Sequence, residues 1–156
     1  MSIPNRGVFV KGVSIKDIQD IYTIRMLIEG LAARWAAEKI TDRELEELKE
    51  IIDLEEFYTI KNDYAHLMQC DSRFHDIIFK ASKSKPLMHT LSTFHHYVQK
   101  ARKLSLSSPG RAMKVLEEHK DILQAIIDKD ASKAERLTTE HVSNASENLL
   151  KQRFSE

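Results

Sequence analysis

The sequence predicts an all-α fold, an antiparallel bundle of six to seven helices with a central cavity. Only 4 glycines and 3 prolines occur in 156 residues, which leaves little material for a turn-rich β fold. A hydrophobic fraction of 42% and a charged fraction of 31% are typical of a globular chain long enough for one domain with a core. Apolar residues recur at helical spacing between short connections, and short connections favour antiparallel neighbours.

Capping signals predict where the first three helices begin. Ser14 and Asp17 have capping-box spacing, and Thr41 and Glu44 repeat that spacing before the second apolar run. Asn62 is expected to cap the third helix. Apolar stripes should then face the core; on the first two helices we place in them Ile21, Ile24, Ile28, Leu31, Trp35, Leu45, Leu48, Ile52 and Phe57.

Three further helix starts follow in the second half of the chain. Ser84, with Pro86 in the first turn, predicts the fourth helix. Ser108 and Pro109 are interpreted as the start of the fifth, and Asp130 as the cap of the sixth. The predicted helical domain therefore extends over residues 14–156.

Residues 1–13 differ from this pattern. Val8, Phe9 and Val10 lie between two glycines and predict a short β segment. A lone strand is not stable in water, so we expect this piece to be the end of a structure that lies upstream.

Four polar residues interrupt apolar faces of the predicted helices. Asp71 and His75 are four residues apart, so their side chains share one face of the third helix. His119 lies in the middle of the apolar stripe of the fifth helix, and His141 lies on the inward side of the sixth. A buried carboxylate is costly unless it is paired or binds a cation, and three imidazoles suit a divalent transition metal. The alternative is that each histidine is satisfied separately by a hydrogen bond in the core.

Two arginines also fall on apolar faces. Arg25 lies on the first helix, and Arg102 lies on the fourth, where it shares a face with His95. A guanidinium can bind a carboxylate through two parallel hydrogen bonds, so both arginines are candidates for a carboxylate ligand. Equally, each could pair with an internal acid or extend to water. His95 is a candidate for the ligand pocket or for a substitute metal ligand.

Bulk properties exclude several classes of protein. The formal net charge is zero, whereas a domain that grips nucleic acid usually carries a basic surface. There is a single cysteine, Cys70, and no apolar run of membrane-spanning length, so we expect a cytoplasmic protein without membrane contact.

The chain resembles the C-terminal ligand-sensing domain (FCD) of the FadR subfamily of GntR-type transcription regulators. The resemblance covers roughly residues 15–150. It rests on four segments: IYTIRMLIEGLAARWAAEKIT, CDSRFHDIIFKASKSKPL, KARKLSL and EEHKDILQAIIDKDASKAERLTTEHV. The D-x-x-F-H element followed by two spaced E-H elements is its most specific feature.

This resemblance implies a helical bundle that binds a small organic acid effector and a divalent metal, with zinc, nickel and manganese as candidates. It places the metal ligands and the inward arginines on Asp71, His75, His119, His141, Arg25 and Arg102. It also implies a homodimer that contacts DNA only through a winged-helix domain. Residues 1–13 are then interpreted as the last wing strand and the linker of that domain, which we expect to be missing from this chain.

Two other functions use the same four polar residues. A small helical metalloenzyme would need an acid or base close to the metal but not bound to it. Glu118 and Glu140 each adjoin a predicted ligand, but neighbours on a helix point about 100° apart and so away from the metal. A purely structural metal site in an interaction bundle is the third interpretation.

Overall fold

The computed structural model describes residues 14–154, apart from the side chains of residues 96, 98, 100, 101 and 152–154. This part of the chain forms six α-helices and no β-strand, which confirms the predicted all-α fold. The predicted β segment at Val8–Val10 lies outside the described residues. The helices are α1 (Ile15–Lys39), α2 (Asp42–Lys61), α3 (Tyr64–Ala81), α4 (Lys85–Leu106), α5 (Arg111–Ile127) and α6 (Ala131–Phe154).

Four of the predicted helix starts are confirmed. The capping boxes of α1 and α2 are complete. The hydroxyls of Ser14 and Thr41 each accept from the backbone N–H three residues on, and their own backbone N–H groups donate to the carboxylates of Asp17 and Glu44. The hydroxyl of Ser84 accepts from the backbone of the first turn of α4. Asp130 accepts from the backbone N–H of Lys133 at 3.1 Å and so caps α6.

Two predicted caps are wrong by one or two residues. Asn62 does not cap α3; it ends α2 in the left-handed conformation, with φ of 55°, and the neighbouring Asp63 is the cap. Ser108 does not cap α5, because its hydroxyl donates to the carbonyl of Ser105 at the end of α4. Gly110 precedes α5 instead, with φ of 77°, a conformation that glycine adopts without strain.

The core-facing side of α1 differs from the predicted stripe. Its buried positions are mostly small or polar, whereas Ile24 is 43% exposed and Leu27 is 71% exposed. Small residues are needed because α1 packs mainly on α6 at close range: a Cβ on Gly30 would lie 2.5 Å from Thr139 Oγ1. Phe57 of α2, which is also expected in a core stripe, is 49% exposed.

The apolar core is divided into two clusters. The larger one joins α1 through α6 around Leu48, Phe74 and Ile126, while a smaller one at one end of the bundle contains Tyr22 and Val142. Polar side chains contributed by all six helices are buried in the same interior. None of the helices within residues 14–154 is both long and apolar enough to cross a membrane.

Candidate metal and ligand site

The structure brings the four predicted metal ligands together. Asp71 and His75 come from α3, His119 from α5 and His141 from α6, and one potential ligand atom of each lies within 4.8 Å of the others. Asp71 Oδ1 lies 3.5 Å from the Nε2 atoms of both His75 and His119. The Nε2 atoms of His119 and His141 are 3.3 Å apart. All four residues are buried.

Each histidine is held on its other nitrogen by a glutamate from a different helix. His75 Nδ1 lies 3.2 Å from Glu29 Oε1, and His119 Nδ1 lies 2.7 Å from Glu55 Oε1. The glutamate that contacts His141 Nδ1, at 2.7 Å, is Glu118. A carboxylate accepts, so Nδ1 of His119 and of His141 carries the proton, and the Nε2 atoms of these two residues keep their lone pairs and are free to bind a cation. Burial lowers the pKa of His75, but Asp71 and Glu29 raise it above its ordinary value, so a metal would have to displace a proton from this residue.

Sequence reasoning does not single out these glutamates as partners of the histidines. Glu118 is expected to point away from its neighbour His119, and it does. It reaches the outer side of a histidine on another helix, His141. Glu29 and Glu55 lie on α1 and α2 among charged neighbours. Their sequence signal is their spacing: Glu55 follows Ile52, a correctly predicted core position of α2, by three residues, and Glu29 follows the inward Arg25 by four.

The distances in the cluster fit a metal ion. With protons on both Nδ1 atoms, the facing Nε2 atoms of His119 and His141 are two acceptors, which repel unless a cation lies between them. Two donors bound to one ion at about 2.0–2.2 Å stand roughly 3–3.5 Å apart. The separations of 3.3 and 3.5 Å among the Nε2 and Oδ1 atoms agree with that spacing. The residues present can therefore hold a metal.

The electrostatics of the cluster favour an ionised carboxylate. Burial by itself would raise the pKa of Asp71, but the guanidinium of Arg102 and the neighbouring His75 hold it well below its usual range. Burial lowers the pKa of His141 to about 4, and its partner Glu118 has a pKa lowered to about 2 by His141 and Arg111 against the effect of burial. At neutral pH His141 is thus uncharged, the form that binds metals.

The predicted arginines lie beside this cluster. Arg25 Nε lies 2.5 Å from Glu29 Oε2, and Arg102 forms a buried ion pair with Asp71. Arg102 Nη1 also lies 2.9 Å from His95 Nε2, which in turn lies 3.2 Å from a serine hydroxyl. Burial and the charge of Arg102 lower the pKa of His95 to about 3. His95 therefore lies beside Arg102 and is not one of the four clustered residues.

A pocket opens next to the cluster. Its empty volume is about 360 Å³ when the part open to solvent is included. It is lined by Asp71, His75, His141, Arg25, Arg102, Arg111, Tyr22, Ser105, Leu106, Val115, Val142 and Ala145. Arg111, from the first turn of α5, is not among the predicted ligand residues. Its Nη2 donates to Glu118 Oε1 at 2.9 Å. Three guanidinium groups therefore reach one small, largely buried space.

The chain is a helical bundle with a buried cluster of histidines and arginines, and comparison with known proteins identifies its family. Residues 20–144 match the FCD domain, so the chain belongs to the FCD domain family. It is 24% identical over 146 residues to the HTH-type transcriptional repressor RspR of Escherichia coli, covering 94% of this chain. It is 29% identical to the HTH-type transcriptional regulator LutR of Bacillus subtilis, covering 90% of this chain. It spans 64% of the length of RspR and 65% of LutR.

Solved structures show the same fold. E. coli McbR/YncC superposes with a TM-score of 0.83 at 20% identity, covering 92% of this chain and 72% of that one. The metal-free FCD domain of TM0439 superposes with a TM-score of 0.74 at 22% identity, covering 90% of this chain and 96% of that one. The family model and the solved structures therefore agree that the chain is an FCD domain, and its longer relatives RspR and LutR are named as HTH-type transcriptional regulators.

Proposed function

We propose that this domain binds one divalent metal through Asp71, His75, His119 and His141 and a small organic acid beside that metal. The observation that carries the proposal is the pair of facing Nε2 atoms, 3.3 Å apart, on two histidines whose Nδ1 atoms are held by glutamates. A bound ion such as zinc, nickel or manganese would supply positive charge and an open position for a carboxylate oxygen.

Charge at the site supports an anionic ligand. With the histidines neutral, as metal binding requires, three arginines face four carboxylates: Arg25, Arg102, Arg111, Glu29, Glu55, Asp71 and Glu118. A divalent cation leaves this group with one positive charge in excess. The cost of that excess in a buried site is removed by a ligand with one negative charge. A monocarboxylate meets this requirement.

Arg25 is the arginine that we expect to bind the carboxylate group of the ligand. Its Nε is paired with Glu29, but its buried Nη1 has no hydrogen-bond partner. Arg102 is the second choice, since its pairing with Asp71 and His95 already occupies it. Arg25 can therefore bind an acid without first breaking an ion pair.

The acidic groups give no support to an enzyme. Glu118 is engaged by His141, Arg111 and Asn144, and Glu140 is exposed on α6 with Arg136 as its partner. Neither is free to serve as a base at the cluster. The relatives are named as transcriptional regulators, which favours a sensing role.

We infer that this domain does not contact DNA itself and that a winged-helix domain of the full-length protein does so. The net charge of the 156 residues is zero, and the HTH-type relatives are longer than this chain. We infer that effector binding here alters how a winged-helix domain binds its operator. A homodimer is the expected form, and the exposed Ile24 and Leu27 of α1 offer an apolar contact for a second copy.

The metal is tested by elemental analysis of purified protein. We expect one divalent ion per chain in the wild type and in the control His89→Ala, whose side chain is exposed. His119→Ala and His141→Ala should each lose most of the metal, because each removes one Nε2 donor. Full occupancy in both of these variants would contradict the proposed site.

A further inference from the structure

We propose that the segment that joins α4 to α5, residues 105–110 (the α4–α5 corner), is a lid over the pocket, latched to α6 by Asn148, and that an acid must release this latch to bind. The inference rests on the proposed function, because the acid beside the histidine cluster is what the lid admits. It states how access to that site is controlled, and it gives a regulatory role to a half-buried side chain of α6.

The pocket beside the histidine cluster is too small for an organic acid in this conformation. Water can occupy only about 30 Å³ of its empty volume, which is room for roughly two water molecules. Butanoate has a carbon chain as well as a carboxylate group and needs several times that space. Part of the pocket wall must therefore move before such an acid can lie beside the cluster.

The α4–α5 corner is the wall between this pocket and a larger one at the surface. Ser105 and Leu106, at the start of the corner, line the inner pocket. Pro109 and Gly110, at its end, line an outer pocket of about 240 Å³ together with Asn148. Movement of the corner away from α6 would join the two spaces. An acid would then have both an entrance and sufficient room.

Asn148 holds the corner against α6 through hydrogen bonds. Its Nδ2 lies 2.8 Å from Ser105 Oγ, 3.2 Å from the carbonyl oxygen of Ser105 and 3.1 Å from Ser108 Oγ. Neither apolar cluster includes any of residues 105–110, all of which the structure describes. The net contribution of a neutral hydrogen bond to stability is small. The corner can therefore be released at a much smaller cost than a helix packed in the core.

The latch and the acid compete for the position of the corner. When the conformation that binds is only partly populated, the apparent affinity is reduced by that fraction. A substitution that weakens the latch raises the fraction of open molecules, so it should tighten acid binding. A residue that only supports the fold would have the opposite effect, because its loss would disturb the binding site. The direction of the change in affinity therefore separates a latch from a structural contact.

The test is calorimetric titration of butanoate into the Zn²⁺-loaded chain. Asn148→Ala removes every latch contact and should bind butanoate about fivefold to tenfold more tightly than the wild type. Ser108→Ala removes one of the two serine partners and should bind about twofold to threefold more tightly. The matched control is Ser107→Ala, which should bind as the wild type does. The hydroxyl of Ser107 donates to the carbonyl of Leu104 at 3.0 Å, within the same turn of α4.

Hydrogen exchange of the wild type gives a second measurement, for which no variant has to fold. The backbone N–H groups of Ser107 and Ser108 donate to the carbonyls of Lys103 and Ser105, at 3.1 and 3.2 Å. Release of the corner exposes this last turn of α4, so these two amides should exchange faster when butanoate is bound. Zinc content is measured for each protein, so that a lost ion is not mistaken for a change in the lid.

Two results would overturn the lid and leave the proposed function standing. One is butanoate binding by Asn148→Ala, or by Ser108→Ala if the first variant does not fold, that is no tighter than in Ser107→Ala. The other is butanoate binding to the wild type with unchanged or slower exchange at Ser107 and Ser108. If butanoate binds neither the wild type nor the latch variants, the proposed function fails and the lid fails with it.

Discussion

Individual glutamates give the histidines of the cluster their direction. A free imidazole can present either nitrogen, but an acceptor at Nδ1 leaves Nε2 as the available ligand atom. Glu29, Glu55 and Glu118 supply that acceptor from α1, α2 and α5. Partners of this kind typically raise metal affinity by roughly 10–100-fold. These glutamate contacts therefore orient the histidine rings in the metal-free protein.

Glu55 allows a matched test of this orienting role. Glu55→Gln keeps the size of the side chain but offers His119 a neutral acceptor, so metal affinity should fall by about tenfold. The control is Glu56→Gln, next along α2, which loses only an exposed contact with Lys120. Competition against a chromophoric chelator measures both affinities. Equal affinities in the two variants would show that Glu55 does not orient His119.

The four clustered side chains are easier to predict from the sequence than the glutamates that contact them. Asp71 and His75 interrupt an apolar stripe at a spacing of four, and helical geometry alone places both on one face. Glu55 and His119 are 64 residues apart, and no local pattern relates them. Such contacts depend on how the helices pack, so a single sequence does not contain a direct signal for them.

At the scale of helices, capping chemistry is more predictive than apolar periodicity. The capping boxes of α1 and α2 depend on residues three apart, and both predictions are confirmed. Of the apolar stripe predicted for α1, Ile21, Ile28 and Trp35 pack against the core, but Ile24 is exposed. The fully buried positions of α1 are mostly small residues such as Gly30, because α1 packs closely on α6. Large aliphatic side chains on α1 are left at the surface, where a second copy of the chain could cover them.

This exposed face of α1 is where we expect the homodimer to form. Leu27→Asp should weaken dimerisation by at least about tenfold, because a buried unpaired charge is costly. Ile60→Asp on α2 is the control, since Ile60 and Leu27 are both 71% exposed. Sedimentation analysis over a range of concentrations gives the dissociation constants. If the two variants dimerise equally well, the contact lies on another face.

At the scale of the whole molecule, the site joins all six helices. The proposed metal ligands come from α3, α5 and α6, and the side chains that we expect to support them or to face the ligand come from α1, α2 and α4: Arg25, Glu29, Glu55 and Arg102. A ligand that binds only this arrangement stabilises the folded bundle to a degree set by its affinity and concentration. Occupancy of the site is therefore linked to the relative positions of the helices, as a sensing domain requires.

The visible spectrum of the Co²⁺-loaded domain tests most directly whether a metal and an acid share one site. Its absorption bands respond to the donor atoms around the ion. We predict a bound Co²⁺ spectrum in the wild type that changes in a saturable manner as a small monocarboxylate such as butanoate is added. A Co²⁺ spectrum that stays unchanged while calorimetry shows the same acid binding would contradict a shared site, because the acid would then bind away from the metal.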